Sequence, residues 1–420
     1  MEKRKFWSYE NKIVTLFFFS IGFVFFDRLA INYLIPFIQE DFALTNTQIG
    51  MLSSALALTW AISGPLGGYL SDKVKSKKVI LALFVIGFSI ISLLHGLVAS
   101  FTMLLVLRLI MGLMEGPITP ITQSVLTVES SKSRRGFNMG ITMNTGNAVF
   151  GSFLAPLVIV ALASAFDWRT AFYLTIVPGI ILAIFILKVM RNPRIEKENS
   201  FAEDEQKPVE KVRLKDVIKN RNIILSIIIF SLFMTYVMAF QIFTPVFLVN
   251  GKSLTEGTMS MIMASFGAGM ALFGFIVPAI SDKIGRKSTS LIFGFCSIFT
   301  PLAVLFVDSV ALMAILVFLF ASGMGAGGLA MSTIPAESVP IQYSGIAVGL
   351  TIGIGEFFGG FLNPIVSGAA ADLFGQGIPL IIGSSAALLA FIFTMFLKET
   401  APSKLQDFPE TKKDIEKAAL

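Results

Sequence analysis

In 420 residues this chain has one cysteine and one histidine, Cys296 and His95, and only 14% of it is Asp, Glu, Lys or Arg. A single cysteine excludes an intramolecular disulfide and a cysteine-based metal cluster. Cys296 is expected as a small apolar filler in a helix, and His95 as a packing residue near one end of its helix. No Gly-x-x-x-x-Gly-Lys-Ser/Thr loop is present, so no ATP-driven pump is expected. No metal-ligand cluster or nucleophile–base pair stands out either, so neither an enzyme nor a metal or cofactor is expected. Soluble domains carry about 25% charged residues. This chain is 55% hydrophobic with 41 phenylalanines, the composition of a protein dissolved mostly in lipid. Its formal charge of +6 does not point to nucleic acid, because the basic residues sit in short loops between apolar runs.

Those runs set the fold class: an all-α membrane protein. Twelve are long enough to cross the ~30 Å hydrocarbon layer, at about 12–36, 48–70, 78–99, 101–127, 137–164, 169–190, 222–249, 257–280, 288–307, 310–336, 343–371 and 376–398. The first is long and holds Asp27 and Arg28, so it is not expected to be a cleaved signal peptide. Residues 191–221 are charged, carry Pro193 and Pro208, and are expected as a linker between six-helix bundles at 1–190 and 222–420. Lys3, Arg4, Lys5, Lys73, Lys75, Lys77, Lys78, Lys132, Arg134, Arg135, Lys283, Arg286 and Lys287 fall on one side. The other side has Glu40, Asp41, Asp167, Arg169, Lys252, Glu256 and Asp308. Basic loops stay inside, which places both termini in the cytoplasm of a cell with a bacterial-type inner membrane.

The halves repeat. Residues 67–78, GGYLSDKVKSKK, recur at 278–289 as PAISDKIGRKST, placing Asp72 and Asp282 half a chain apart. Pro36 and Pro245, Glu129 and Glu337, and Gly136 and Gly345 keep nearly the same offset. Parallel repeats about an axis along the membrane normal belong to transporters that hold substrate between halves near the midplane.

On these residues the chain resembles the major facilitator superfamily over nearly its whole length. The stretch Gly67–Lys78 is similar to that family's Gly-x-Leu-x-Asp-Arg-x-Gly-Arg-Lys signature, departing at Ser76, and Ser281–Lys287 is closer. Trp168-Arg169 and Arg134-Arg135-Gly136 are further marks. The resemblance implies twelve helices in two pseudo-symmetric bundles, alternating access, and a gating role for Asp72, Arg135, Asp282 and Arg286. A narrower likeness is to the anion:cation symporters, which carry sugar acids and related carboxylates, usually with protons. It rests on Asp27-Arg28 in helix 1 and on Arg108 and Glu115, seven residues apart, in helix 4. That branch's pattern implies substrate contacts at Trp60, Asn144 or Asn147, and Asn363. Trp60 stands where tyrosine is expected, and Glu356 is an additional acid.

A charge at mid-bilayer costs about 2.5–3.5 kcal/mol on insertion scales, so it faces a partner, a cavity or a ligand. Arg108 and Glu115 share a helix face about 10 Å apart, too far for direct contact in a straight helix. Arg28 and Arg108 are expected at one depth facing a cavity, where two planar guanidiniums suit a carboxylate; the alternative is structural ion pairing. Asp27, about 100° around the helix from Arg28, need not pair with it. Burial and a neighbouring arginine push a carboxyl's proton affinity in opposite directions, which makes Glu115 first and Asp27 second as proton carriers. Glu356, seven residues before Asn363 in a Gly- and Pro-rich helix expected to bend, is a third. It is alternatively a group for a substrate hydroxyl or ammonium. Asn144 and Asn147 are candidates for substrate hydroxyls, and Tyr236 and Gln241 bring in the second half.

The expected function is proton-coupled uptake of a small organic anion by a monomer in lipid. The alternative is a proton-coupled exporter of drugs or metabolites, disfavoured because GNAVFGSFLAP in helix 5 lacks the exporters' Gly-Pro-x-x-Gly-Gly and because two arginines repel lipophilic cations. An enzyme or nutrient sensor on a transporter scaffold ranks last.

Overall fold

The computed structural model describes residues 8–74, 76–131, 134–191, 217, 219–340 and 343–404. Most of the expected linker at 191–221 lies outside them, as do Lys3, Arg4, Lys5, Lys75, Lys132 and the side chain of Asp72. A chain in lipid must satisfy its backbone polar groups internally, and the described chain does so with helices alone. Eleven are long and apolar enough to cross a membrane: α1 Tyr9–Phe42, α2 Asn46–Ser71, α3 Lys77–His95, α4 Phe101–Glu129, α5 Arg135–Ala165, α6 Trp168–Val189, α7 Arg221–Gly251, α8 Glu256–Ile284, α9 Arg286–Phe306, α10 Val310–Glu337 and α11 Ser344–Phe374. A twelfth, α12 Ile378–Thr394, is apolar but only 17 residues long. Many begin on a side chain that accepts the free N–H groups of the first turn: Ser8, Thr45, Ser100, Asp167, Asn220, Thr255 and Ser309.

In the first half α3 packs on α6, α2 on α4, and α1 on α5 and α6; in the second, α7 and α9 pack on α12. The halves meet chiefly through α2 against α11 and α5 against α8. Glycine makes the first seam possible. A Cβ on Gly50 would collide with the Pro364 carbonyl, and one on Gly368 with the backbone of Asn46.

Wider π turns, which take in an extra residue and recur at functional sites, occupy Ile141–Thr145 and Asn147–Leu154 in α5, Phe247–Gly251 in α7, Leu329–Thr333 in α10 and Glu356–Leu362 in α11. Asn147 and Glu356 are 209 residues apart, the Pro36–Pro245 offset, so both halves break at equivalent places. In α4 the break falls at Gly116-Pro117, just after Glu115.

The face with Lys77, Arg134, Arg135 and Arg286 is the basic face. Cross-half bonds gather away from it. Asp372, near the end of α11, accepts hydrogen bonds from the Asn46 N–H (2.8 Å), Asn46 Nδ2 (2.9 Å), the Thr47 N–H (2.8 Å) and Thr47 Oγ1 (2.5 Å). Asn250 donates to Gln39 at 2.9 Å on the same face, and Ser54 Oγ to the Phe361 carbonyl at 2.6 Å deeper in. The segments nearest the basic face, 118–129, 135–140, 334–337 and 344–355, make their substantial contacts within their own halves. The interface is therefore shut at the far face and parted at the basic face.

Candidate functional site

The first half carries a cluster of four charges. Asp27, Arg108 and Glu115 are at most 1% exposed, and Arg28 is half-buried beside them. Among the described residues neither guanidinium has a carboxylate within 4.0 Å. Arg108 Nη1 lies 3.4 Å from the Arg28 carbonyl and 3.7 Å from Met111 Sδ, while its Nε and Nη2 have no partner. Both Glu115 oxygens are also unpartnered. Arg108 acts electrostatically on Glu115 and Asp27, and Glu115 feels Arg28 as well. Other buried atoms are unpartnered too, but here the unmet donors and acceptors sit on ionisable side chains, which marks a site where ligand or protons complete the bonding.

The expectation that both guanidiniums face an open vestibule is corrected for Arg108. The α1 backbone covers it, leaving only 1% exposed, and the open position belongs to Arg28. Arg28 lies over two aromatic rings, its guanidinium carbon 5.2 Å from the Trp60 ring centre and 5.8 Å from that of Phe25. Trp60 reaches it because Gly112 and Gly116 let α4 press on α2; a Cβ on either would meet Thr59, Ser63 or the Trp60 backbone. Asp27 points the other way, as its angle from Arg28 requires. Ser92 Oγ of α3 donates to its Oδ1, Thr175 of α6 lies 2.8 Å from Ser92, and Oδ2 is unpartnered. His95 packs in the bundle, Nδ1 2.7 Å from the Ile91 carbonyl and its ring 5.4 Å from Phe172, but its Nε2 is buried without a partner.

Two expected contacts are turned elsewhere. Tyr236 is fully buried between Phe233 and Phe240, its hydroxyl beside Thr300 of α9. It is the repeat mate of Asp27, 209 residues on, and points into its own bundle for the same reason. Asn363 donates to the Thr235 carbonyl at 3.2 Å and accepts from Ser367 at 2.8 Å, tying α11 to α7. Its seven-residue spacing from Glu356 loses its α-helical meaning because the π segment lies between. Glu356 is half-buried and acts electrostatically on Arg28 across the halves. Asn144 is exposed, and Asn147 Oδ1 is buried without a partner. Gln241 is 5% exposed and has no hydrogen bond among the described residues.

Of the expected gate residues, Arg286 pairs with Asp282 (2.6 Å) and Glu337 (2.8 Å), and Glu399 accepts the Arg286 N–H at 2.7 Å. Arg135 Nε is buried and unpartnered. Sequence reasoning missed Ser92, Glu399, Asp372 and Asn32. Asn32 was within reach: it lies one turn beyond Arg28, accepts from Ser53 at 3.5 Å, and is the repeat mate of Gln241.

Comparison with known proteins agrees with this architecture. The hexuronate transporter of Bacillus subtilis (strain 168) is 29% identical over 65% of this chain and 66% of its own length. A probable galactarate/D-glucarate transporter from the same organism is 25% identical over 90% of both chains. The quinolone resistance protein NorA of Staphylococcus aureus (strain Mu50) is 23% identical over 94% of this chain and 99% of its own. Among solved structures, a bacterial homologue of the human lysosomal transporter Spinster, inward-facing and unoccupied, superposes with a TM-score of 0.74 at 17% identity, covering 98% of each chain. The family model for the Major Facilitator Superfamily matches residues 17–364 and 252–418, and the chain belongs to that superfamily of membrane transporters.

Proposed function

We propose that this transporter takes up a small organic anion, a carboxylate such as a sugar acid, together with protons. The observation that carries the reading is the pair of guanidiniums, Arg28 and Arg108, with no carboxylate within 4.0 Å among the described residues. Arg28, stacked on Trp60, offers its N–H edge to the carboxylate in a bidentate pair. Arg108 stands behind it and offsets the charge of the neighbouring acids. Asn144, Asn147 and Gln241 supply amides for hydroxyls. Glu115 is the first proton carrier, since both its oxygens are buried and unmet; Asp27 is the second.

Rocking of the halves about this site gives alternating access. With the basic face in the cytoplasm, as the positive-inside rule asks, the structure is the inward-open state. Asp282–Arg286–Glu337 braces that face of the second half, and Asp72 and Arg135 are its counterparts in the first. The exporter reading draws on the likeness to NorA, but buried arginines disfavour cationic drugs by charge repulsion.

The test is a screen of carboxylates for binding to purified protein, repeated with Arg28→Ala and Arg108→Ala. Acids that bind the parent protein should lose at least tenfold in affinity in each variant. Unchanged affinity in both would remove the anion site, and tighter binding of lipophilic cations than of any acid would favour export.

A further inference from the structure

Glu356 is the charge that an anion site does not need. It opens the π segment of α11, on the opposite half from every other charge in the cluster. The equivalent position in α5 holds Asn147, a neutral amide. No hydrogen bond reaches the Glu356 carboxylate among the described residues, and no cation lies within 4.0 Å of it. Its electrostatic partner is Arg28, across the interface. The side chain lies along its own helix over Gly360, where an added Cβ would stand 2.5 Å from Oε2. Trp60 stacks on Arg28 from α2, the helix that packs on this π segment and bonds it through Ser54 and the Phe361 carbonyl. Arg28 and Glu356 thus sit on the two sides of the α2–α11 seam, opposite in charge and with no ion pair between them.

We propose that Glu356 decides which acids are carried: it accepts the hydrogen-bond-donating end, hydroxyl or ammonium, of a small monocarboxylate held at Arg28, and rejects dicarboxylates. The inference rests on the anion reading of Arg28 and adds the chemistry of the cargo's other end. A ligand with a carboxylate at one end and a donor at the other satisfies both groups. A second carboxylate would face Glu356 as a like charge where the low dielectric leaves repulsion poorly screened. Selection by a repulsive element is a general route to specificity. The galactarate/D-glucarate relative is named for diacids, so acid length alone does not separate the two readings.

The experiment is calorimetric binding to purified full-length protein of acids matched at one end and differing at the other. One set is 3-hydroxypropionate, β-alanine and malonate; the other is D-gluconate and D-glucarate. The parent protein should bind the better monoacid of a set at least tenfold more tightly than its diacid. Glu356→Gln should bring the two within threefold, chiefly by tightening the diacid, a gain that misfolding does not produce. Gly360→Ala, which displaces the carboxylate and leaves its charge, should weaken monoacid binding. Preference for β-alanine over 3-hydroxypropionate would identify ammonium as the donor, and the reverse a hydroxyl. Equal binding of mono- and diacid by the parent protein, or an unchanged ratio in Glu356→Gln, overturns the role of Glu356 and leaves the anion site standing. Failure of every acid to bind the parent protein overturns both.

Discussion

Trp60 and Phe25 hold the Arg28 guanidinium over their rings, its central carbon 5.2 and 5.8 Å from the ring centres. Such contacts are worth about 0.5–2 kcal/mol, more when desolvated. Lysine keeps the charge but has neither the planar fork nor the stacking face. Arg28→Lys should therefore weaken carboxylate binding by at least tenfold in calorimetry, while Trp60→Phe, which keeps an aromatic face, should cost less than fivefold. Comparable losses in the two variants would mean that stacking, and not the fork, holds the ligand. Glu115 poses a different question. Its carboxyl is buried with both oxygens unmet, and glutamine mimics its protonated form. In proteoliposomes Glu115→Gln should abolish accumulation driven by a pH gradient while preserving exchange of labelled for unlabelled acid, a step that needs no net proton movement. Accumulation that survives this change moves the coupling proton to Asp27 or Glu356.

At the scale of helices, Asp372 reinforces from the other half the helix start that Thr45 caps. Four donors of Asn46 and Thr47 at the start of α2 converge on its carboxylate, where the helix dipole favours an anion. Losing a side-chain acceptor at a helix start costs about 0.5–2 kcal/mol. Here that loss falls on the closed state of the far face rather than on folding, because the bond spans the moving interface. Asp372→Ala should raise the far-face-open population by roughly two- to thirtyfold. Spin labels at Glu40→Cys and Gly257→Cys, in a Cys296→Ser background, would show it as a growing long-distance population. An unchanged distribution would make the contact incidental to gating. The spans themselves were legible in the sequence, since lipid demands long apolar helices with basic loops and twelve such runs leave little choice of boundary. The π segments were not. Closure from i to i+5 is set by what packs alongside, so the α-helical spacing that put Asn363 beside Glu356 gave way to its bond with Thr235. Asp372 was illegible for a related reason: its partners lie 326 and 325 residues away, and no sequence period links them.

Across the whole molecule the two halves share a frame but not a charge pattern. The first half brings Asp27, Arg28, Arg108 and Glu115, the second only Glu356; the repeat mates Tyr236, Val237, Val317 and Met324 are neutral. That asymmetry was readable from the chain, whereas the depth of Arg108 was not, because it depends on the α1 backbone lying over it. The charge pattern also bears on coupling. Fully ionised, the cluster holds two positive and three negative groups, and a charge imbalance is strongly disfavoured once the closing halves exclude water from it. The empty carrier reaches neutrality with one proton, and the carrier loaded with a monoanion needs two. The difference is one proton per anion, an electroneutral cycle. In proteoliposomes an inside-alkaline pH gradient should drive uptake of a monocarboxylate severalfold above equilibrium, and replacing sodium with choline should leave the rate unchanged. A potential of either sign, imposed with valinomycin and a potassium gradient at equal pH, should alter initial uptake by less than twofold. Strong stimulation by an interior-negative potential would mean that more than one proton accompanies each anion, and would break the charge argument linking Glu356 to the four groups across the cleft.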